Sequence, residues 1–353
     1  MPQQSPTQDV HLATGRAAEE LAAAVRRLGL GRLLLVAGSR RLVDELTAGL
    51  PVAACFHDVA MHVPAGVVDR AEALALRRSV DGIVCIGGGS ATGLAKAVAV
   101  RTGLPIVAVP TTYAGSEATP VWGITDAGGK HTASDPRALP RTVVYDAALT
   151  LTLPAAYGVA SGLNALAHCV DSLWAPRATP ETTTRALEGA ALLARTLPRV
   201  AEDGTDLPAR EDLLRATHLA GAVFADAGSG LHHKICHVLG GLLDLPHAET
   251  HAAVLPHVLA FNAPAVPELD ARLATALAGG VPGGSTTRRA LDELEALYAR
   301  LRPTRALRDL GMPADAVPAV VEAVLASGLT GNPVPLTAAR LDGLLRAAWG
   351  APA

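Results

Sequence analysis

The chain has 353 residues, of which half are hydrophobic and 18% are charged, and its formal net charge is -3. This length indicates two domains or one large one, and the apolar content is ample for a large core. The balanced charge, without a basic patch, argues against a nucleic-acid partner. The sequence shows neither a secretion signal nor an apolar run long enough to span a membrane. We therefore expect a cytoplasmic protein whose four cysteines are free thiols.

The first half of the chain alternates short apolar runs with amphipathic stretches, after a polar lead of about 15 residues that is predicted to be either partly a strand or an arm. Strands are predicted at Arg32 to Gly38, at Val52 to Phe56, within the run DGIVCIGGGS (81–90) and at Leu104 to Val109. Helices are predicted at Arg16 to Leu30, Arg41 to Leu50, Val67 to Ser79 and Ala91 to Val100. Strands separated by helices of this length predict a parallel α/β sheet.

The second half of the chain is rich in Ala and Leu and contains no comparable strand pattern. Its predicted helices are Gly162 to Trp174, Thr182 to Leu197, Glu211 to Ala225, Leu231 to Leu243, His247 to Asn262, Leu269 to Ala278, Thr286 to Leu301, Ala314 to Leu325 and Thr337 to Trp349. The segment GGVPGGS (279–285) is predicted to be a loop between them. We therefore expect an α/β domain over residues 1–154 and an all-helical domain over residues 155–353.

A glycine-rich turn follows the strand predicted within DGIVCIGGGS (81–90). Gly87, Gly88 and Gly89 allow the backbone to approach an anion closely, and the helix starting near Ser90 directs free N–H groups at it. This pattern suits a pyrophosphate, although it is neither GxGxxG nor a Walker sequence. A purely structural turn is the alternative.

The next strand ends at the same predicted sheet edge, where a loop carries hydroxyl groups. Its polar residues include Thr111, Thr112, Tyr113 and Ser116. Two neighbouring strand ends of this kind favour a dinucleotide site over a lone turn. The first strand ends in Gly38-Ser39-Arg40, without an acidic residue to hold a ribose hydroxyl, so the sequence does not choose between NADH and NADPH.

The stretch from Leu231 to His257 holds six of the twelve histidines. His233 and His237 are four residues apart, and so are His247 and His251, so each pair shares a helix face. We predict a helix, a short Gly-Gly break and a second helix that bring several imidazoles into one site. The alternative is a run of polar positions on surface helices.

Several blocks of the sequence resemble the iron-containing alcohol dehydrogenase superfamily and, within it, the maleylacetate reductases. They include GGGSATGLAK (87–96), PTTYAGSEATPVWGIT (110–125), PRTVVYD (140–146), ASGLNALAHCVDSLWAP (160–176) and the histidine-rich run. The resemblance extends from about Gly31 to Trp349. It implies an α/β nicotinamide-cofactor domain and an all-helical catalytic domain with the active site in the cleft between them, the dehydroquinate synthase-like architecture.

By this resemblance, cofactor binding is carried onto positions of both strand-end loops. With Gly38 at the first strand end, the set is Gly87, Gly88, Gly89, Ser90, Thr111, Thr112, Ser116, Thr119 and Lys130. The cofactor is NADH or NADPH, and we also expect a homodimer.

Metal-dependent members of the superfamily use one Asp and three His as ligands. The matching positions here are Asn164, His168, His233 and His247. A neutral amide contributes no charge to a dication site, so we expect metal-independent catalysis, as the resemblance to maleylacetate reductases implies. Three histidines with a water are an open alternative for Zn²⁺.

The resemblance implies reduction of the C=C bond of maleylacetate, a small dicarboxylate, to 3-oxoadipate. His237 matches a histidine beside substrate and nicotinamide, so we expect it to be the acid or oxyanion donor in a cationic histidine cluster. Further candidates are His168, His233, His247, Tyr113, His232 and His251, with Arg137 and Lys234 as possible carboxylate ligands.

Two features leave other functions open. The family commonly has an Arg between two prolines near the C-terminus, where this chain has Val334, so a related keto or enoyl acid is conceivable as substrate. The main alternative is a metal-dependent dehydrogenase of simple alcohols. A lyase similar to dehydroquinate synthase and a non-catalytic binding protein are less consistent with the residues.

Overall fold

The computed structural model describes residues 8–38, 40–279 and 288–350. Ser39, the side chains of Arg40 and Lys130, and the predicted GGVPGGS loop beyond Gly279 lie outside the described part. The chain divides into two compact units, one ending at Leu153 and the other beginning at Pro154.

The first unit is built on a six-stranded parallel sheet, with strand order β1-β8-β5-β4-β2-β3. Its elements are β1 (Asp9–Leu12), α1 (Ala17–Arg27), β2 (Leu33–Ala37), α2 (Arg40–Leu46), β3 (Val52–Phe56), α3 (Ala65–Arg77), β4 (Gly82–Gly87), α4 (Gly89–Thr102), β5 (Ile106–Pro110), β6 (Val121–Asp126), β7 (Gly129–Ser134) and β8 (Thr142–Tyr145). Strands β2, β4 and β5 are apolar and almost wholly buried, as parallel strands covered on both faces should be. The predicted parallel α/β sheet is confirmed.

Two features of this unit were not predicted. Strand β8 is only four residues long, and it is inserted between β1 and β5. Strands β6 and β7 form an antiparallel hairpin that pairs Val121 with Ser134 and Asp126 with Gly129. The hairpin is a two-stranded sheet separate from the buried parallel sheet. Its strands therefore contain polar as well as apolar residues and lack the continuous apolar run by which buried strands are recognised.

The second unit consists of helices wherever the structure describes it. They are α5 (Ala155–Ser172), α6 (Pro180–Glu202), α7 (Leu207–Ala227), α8 (Leu231–Leu243), α9 (His247–Asn262), α10 (Pro267–Leu277), α11 (Ala290–Leu301), α12 (Val317–Ala326) and α13 (Ala338–Trp349), with short 3₁₀ turns between some of them. None of the described helices is long and apolar enough to cross a membrane. The predicted all-helical character is confirmed.

Helix α5 lies at the centre of this unit and is buried from Gly158 to Ser172. Glycines allow its close contact with α6. A Cβ at Gly162 would lie 2.3 Å from a methyl group of Leu197, and a Cβ at Gly189 would lie 2.8 Å from Sγ of Cys169. Small residues therefore set the packing distance of the helix that carries Asn164 and His168.

The bounds predicted for the two histidine-bearing helices are confirmed, but the Gly-Gly pair is not the break between them. Helix α8 continues through Gly240 and Gly241 to Leu243, and Asp244 ends it in the left-handed conformation with φ of 52°. Pro246 then precedes the first residue of α9. Glycine is tolerated in a helix at a modest cost, whereas the proline fixes where the next helix begins.

Candidate active site

The glycine turn of the first unit is a tight connection between β4 and α4. Gly87 adopts φ of +148°, and Gly88 is the N-cap of α4. A Cβ on Gly88 would lie 2.8 Å from Cγ2 of Thr112, so only glycine fits against the neighbouring loop. The first N–H groups of α4 need an external acceptor. Gly89 and Ser90 form the first turn of this helix, and the cradle fits an anion such as a pyrophosphate.

The loop after β5 contributes to the same region but orients its side chains in different ways. The backbone N–H of Thr111 donates to the carbonyl of Gly87, which ties the loop to the glycine turn. Tyr113 is fully buried, and its hydroxyl donates to Oγ1 of Thr150 at 3.1 Å. The structure therefore places Tyr113 in the core of its own unit, which gives no support to its predicted catalytic role. Ser116 begins a 3₁₀ turn that ends before Thr119.

A buried lysine that the sequence reasoning left unassigned holds this loop. Nζ of Lys96 donates to the carbonyl of Ser116 at 2.6 Å, to Oγ1 of Thr119 at 3.0 Å and to the carbonyl of Val121 at 2.7 Å. Burial lowers the pKa of Lys96 to about 7, and the charge of Glu117 opposes this shift. All three ammonium hydrogens have acceptors, so α4 and the Ser116–Thr119 turn are fixed to each other.

Glu117 is a buried acidic residue of the same turn. Tyr145 donates its hydroxyl to Oε1 of Glu117 at 2.6 Å, and burial raises the pKa of this carboxyl group. Nε2 of Gln8 donates to the backbone carbonyl of Glu117 at 2.8 Å. The spacing of residues within a short stretch does not predict these contacts, because the residues that make them are distant in the chain.

The histidines of the second unit lie together on α5, α8 and α9. The His168 and His233 rings are stacked with centroids 4.9 Å apart, and those of His233 and His251 are 4.8 Å apart. His247 is 4.5 Å from His251, whereas His237 is 6.2 Å from His233. The i,i+4 spacing on each helix thus brings the imidazoles into one cluster.

These histidines differ in burial and therefore in charge. Burial lowers the pKa of His168 and of His232 to about 3, and it lowers the pKa of His233 and His251 well below the usual value. The predicted cationic cluster is therefore wrong for these four side chains, which are neutral at pH 7 because a charge there would lose its hydration. His237 is half-buried and His247 is exposed, so these two are the accessible members.

Asp171 is the site carboxylate that the sequence reasoning missed. It is fully buried on α5 and accepts hydrogen bonds from the backbone N–H of Gly230, His232 and His233. Nδ1 of His233 is also 2.8 Å from its Oδ2. Burial raises the pKa of Asp171 to about 6, and the backbone donors oppose that shift. Its spacing of three residues from His168 on one helix was the available signal.

The predicted metal positions do not fit a dication well. Oδ1 of Asn164 and Nε2 of His233 are buried without a hydrogen-bond partner among the described residues, but neither atom carries a charge. The described part of the chain contains one group of three His, Cys, Asp or Glu donors within 4.8 Å of one another, namely His232, Cys236 and His251. His168, His233 and His247 do not form such a group among these residues.

The remaining candidates lie outside the accessible part of the cluster. Nε2 of His232 and Nδ1 of His251 are 2.9 Å apart and share a hydrogen, which links α8 to α9. Arg137 is exposed and is paired with Asp135. Lys234 is half-buried on α8.

Val334, which stands where the family commonly has an Arg, lies in a structured turn. Nδ2 of Asn332 donates to the carbonyl of Val334 and to Oδ1 of Asn262 on α9. Asn262 returns a hydrogen bond to Oδ1 of Asn332 at 3.0 Å. This reciprocal amide pair fastens the turn to α9, so the segment has a packing role in this chain whatever its role in substrate binding.

Comparison with known proteins identifies the family. The model of iron-containing alcohol dehydrogenases matches residues 9–147, and that of the C-terminal part of the Fe-containing alcohol dehydrogenase family matches residues 158–349. A maleylacetate reductase of Sphingobium indicum is 46% identical over 87% of this chain and 85% of its own length. One from Pseudomonas knackmussii is 44% identical over 92% of this chain and 91% of its own.

Solved structures agree with this similarity. An iron-containing alcohol dehydrogenase of Corynebacterium glutamicum superposes with a TM-score of 0.92 and 44% identity, over 98% of this chain and 95% of its own. The maleylacetate reductase of a Rhizobium species gives a TM-score of 0.89 and 38% identity, over 98% and 97% of the two chains. The chain therefore belongs to the iron-containing alcohol dehydrogenase family and is an oxidoreductase that resembles maleylacetate reductases over most of its length.

Proposed function

We propose that this protein reduces the C=C bond of maleylacetate, or of a close 4-oxo-2-enoic diacid, to give 3-oxoadipate or its analogue. The observation that carries the proposal is the similarity to maleylacetate reductases along nearly the whole chain. The histidine cluster without an anionic ligand is consistent with it, because an acidic enone needs proton donors rather than an additional carboxylate.

The hydride comes from NADH or NADPH, which supplies the redox chemistry when bound. The glycine turn at Gly87 to Gly89 would hold the pyrophosphate, with Ser90, Thr111, Thr112, Ser116 and Thr119 around it. Gly38 follows β2 and is exposed, as a position beside the cofactor can be, and the side chain of Lys130 lies outside the described residues.

The substrate needs two things from the protein. Hydride addition to the alkene carbon β to the ketone leaves an enolate, which requires a hydrogen-bond donor at its oxygen and then a proton at the α carbon. Among the clustered imidazoles, His237 combines partial exposure with a position close to His233. His237 is therefore assigned the donor role, with His168, His233 and His247 around the substrate.

Catalysis in this proposal does not require a metal. The matching ligand positions offer three imidazoles and an uncharged amide, and hard or borderline dications bind such a set more weakly than one with a carboxylate. The alternative function, metal-dependent oxidation of a simple alcohol, would need the anionic ligand that Asn164 replaces.

One assay tests both parts. The purified protein is mixed with maleylacetate and NADH or NADPH, with and without a chelator, and the absorbance of the reduced cofactor is followed. We expect oxidation with at least one cofactor and no effect of the chelator. Lack of turnover with both cofactors contradicts the substrate assignment, whereas loss of activity on chelation contradicts only metal independence. Oxidation of simple alcohols by the Fe²⁺- or Zn²⁺-loaded protein is the positive test of the alternative.

We also propose a cytoplasmic homodimer. The four cysteines are free in the structure, three of them buried, as is usual in a reducing compartment. Light scattering of the purified protein measures its mass, and a monomer would contradict the proposed assembly.

A further inference from the structure

The contacts of Asp171 point beyond a capping role. Its carboxyl group is fully buried and receives four hydrogen bonds, three from the backbone at the start of α8 and one from Nδ1 of His233. The backbone at this place leaves no room for a larger residue, because a Cβ on Gly230 would lie 2.5 Å from Oδ1 of Asp171. The carboxylate, the helix start and the His233 ring therefore form one rigid assembly.

This assembly decides which ring nitrogen of His233 carries the hydrogen. A carboxylate only accepts hydrogen bonds, so the 2.8 Å contact requires a hydrogen on Nδ1. A neutral imidazole has a single N–H group, which leaves a lone pair on Nε2. Nε2 is buried and has no hydrogen-bond partner in the part of the chain that the structure describes.

We propose that Asp171 is a positioning residue that holds His233 as the Nδ1–H tautomer, so that Nε2 of His233 can accept a hydrogen bond but cannot donate one. The inference deepens the proposed function, on which its kinetic part rests. The histidines of the cluster then have different roles, since His233 accepts a hydrogen bond from a water or from a donor group of the bound ligand. The proton for the substrate then comes from another imidazole, for which His237 is the accessible choice.

The competing explanation is that Asp171 only caps α8. The first unit contains a matched control for it. Asp146 is also buried, and its carboxylate accepts backbone N–H groups from Gly15 at 2.9 Å, Ala17 at 3.2 Å and Ala148 at 2.8 Å. The donors to this carboxylate are therefore backbone groups and not a histidine ring. Asp146→Asn therefore imposes a similar loss of backbone hydrogen bonding without affecting the imidazole cluster.

The first measurement needs no substrate. Ring ¹⁵N shifts of the full-length protein, labelled at histidine and assigned with His233→Gln, report the tautomer directly. We expect the wild-type signal of His233 to show a protonated Nδ1 and a bare Nε2. Asp171→Asn should populate the Nε2–H form, whereas Asp146→Asn should leave the ring signals unchanged. An Nε2–H tautomer in the wild-type protein overturns the proposal even if no Asp171 variant folds.

The second measurement is kinetic. Asp171→Asn should lower kcat by about tenfold to a hundredfold, the usual effect of losing a partner that orients a site histidine, while cofactor affinity is retained. Asp146→Asn should lower the thermal midpoint without changing kcat. If Asp171→Asn lowers only the thermal midpoint, Asp171 is a cap and the proposal is wrong. If the wild-type protein does not reduce maleylacetate, the proposed function fails, but the ring signals still test the role of Asp171.

Discussion

The two units each contain a buried polar network, and the networks differ in how completely they are satisfied. In the first unit, Lys96 uses all three hydrogens and Glu117 accepts from Tyr145. In the second unit, Asp171 is saturated, yet the side chains around it are not. Among the described residues, buried atoms without a hydrogen-bond partner include Oδ1 of Asn164, Nδ1 of His232, Nε2 of His233 and Nε2 of His251.

This difference indicates that the first network has a structural role and that the second binds a ligand. A buried polar atom without a partner costs about 1–3 kcal/mol, so natural proteins keep few of them. A saturated network fixes the geometry of its surroundings, as Lys96 does for the turn at Ser116. An unsaturated network is retained where a ligand or water completes it. The contrast supports the proposal that ligand-binding groups lie in the second unit, whereas Lys96 in the first unit fastens the loop after β5.

The largest expected effect is on turnover, at the unsaturated network. His237→Ala should lower kcat by about 10³-fold, because general acid and oxyanion roles are worth that much, while cofactor binding stays largely intact. Stopped-flow or steady-state assays with maleylacetate measure it, alongside fluorescence titration with the cofactor. His131→Ala, in the exposed hairpin of the first unit, is the control. Turnover close to that of the wild type would remove His237 from the mechanism.

Substitution in the saturated network of the first unit should lower the free energy of unfolding. Lys96→Met leaves the buried Glu117 without its cation and should lower the free energy of unfolding by about 3 kcal/mol, measured by urea denaturation. The double variant Lys96→Met/Glu117→Gln should recover part of this loss, since it leaves no uncompensated charge. Lys234→Met, at a half-buried position, is the matched control. An unchanged urea midpoint in Lys96→Met would show that the network does not stabilise its unit.

The pH dependence of stability should come from the histidine cluster. A histidine whose pKa is about 3 in the folded protein, as for His232, stays neutral while the unfolded chain takes up a proton below about pH 6.5. Stability is therefore present above pH 6.5 and is lost as pH falls, by about 2 kcal/mol per such histidine between pH 7 and pH 5. The raised pKa of Asp171 offsets part of it below about pH 6. Urea midpoints across this range should fall less steeply in His232→Gln, and an equal slope in both proteins would contradict the buried, neutral state.

The smallest of these effects concerns the glycine cradle. The Cβ of Gly88→Ala would lie 2.8 Å from Cγ2 of Thr112, so the turn must shift, and the Kd of NADH or NADPH should rise about tenfold. Isothermal titration measures the change. Gly343→Ala, on α13 with no atom within 4 Å of the added carbon, should leave the Kd unaffected. Equal affinity in both variants would mean that the Gly88 turn is purely structural.

Much of the fold followed from local pattern. Long apolar or amphipathic stretches predicted the helices of the second unit, because helix periodicity is visible in consecutive residues. Some ends were missed: α5 begins at Ala155 rather than Gly162, and α6 continues to Glu202 rather than ending at Leu197. Strand β8 was not predicted because it has only four residues, and the β6–β7 hairpin was not predicted because its strands mix polar and apolar residues. The two glycines near the end of α8 were wrongly predicted to break the helix, because Asp244 and Pro246 determine where α8 ends and α9 begins.

The sequence by itself determined the fold class, the glycine turn and the i,i+4 histidine pairs. Only the tertiary structure decided that Tyr113 is a core residue, that Lys96 fastens the Ser116 turn and that Asp171 meets His233. It also buries four of the clustered imidazoles, which lowers their pKa values. The physical reason is the same in each case: desolvation and hydrogen bonding depend on neighbours that are distant in the chain, and no local spacing encodes them.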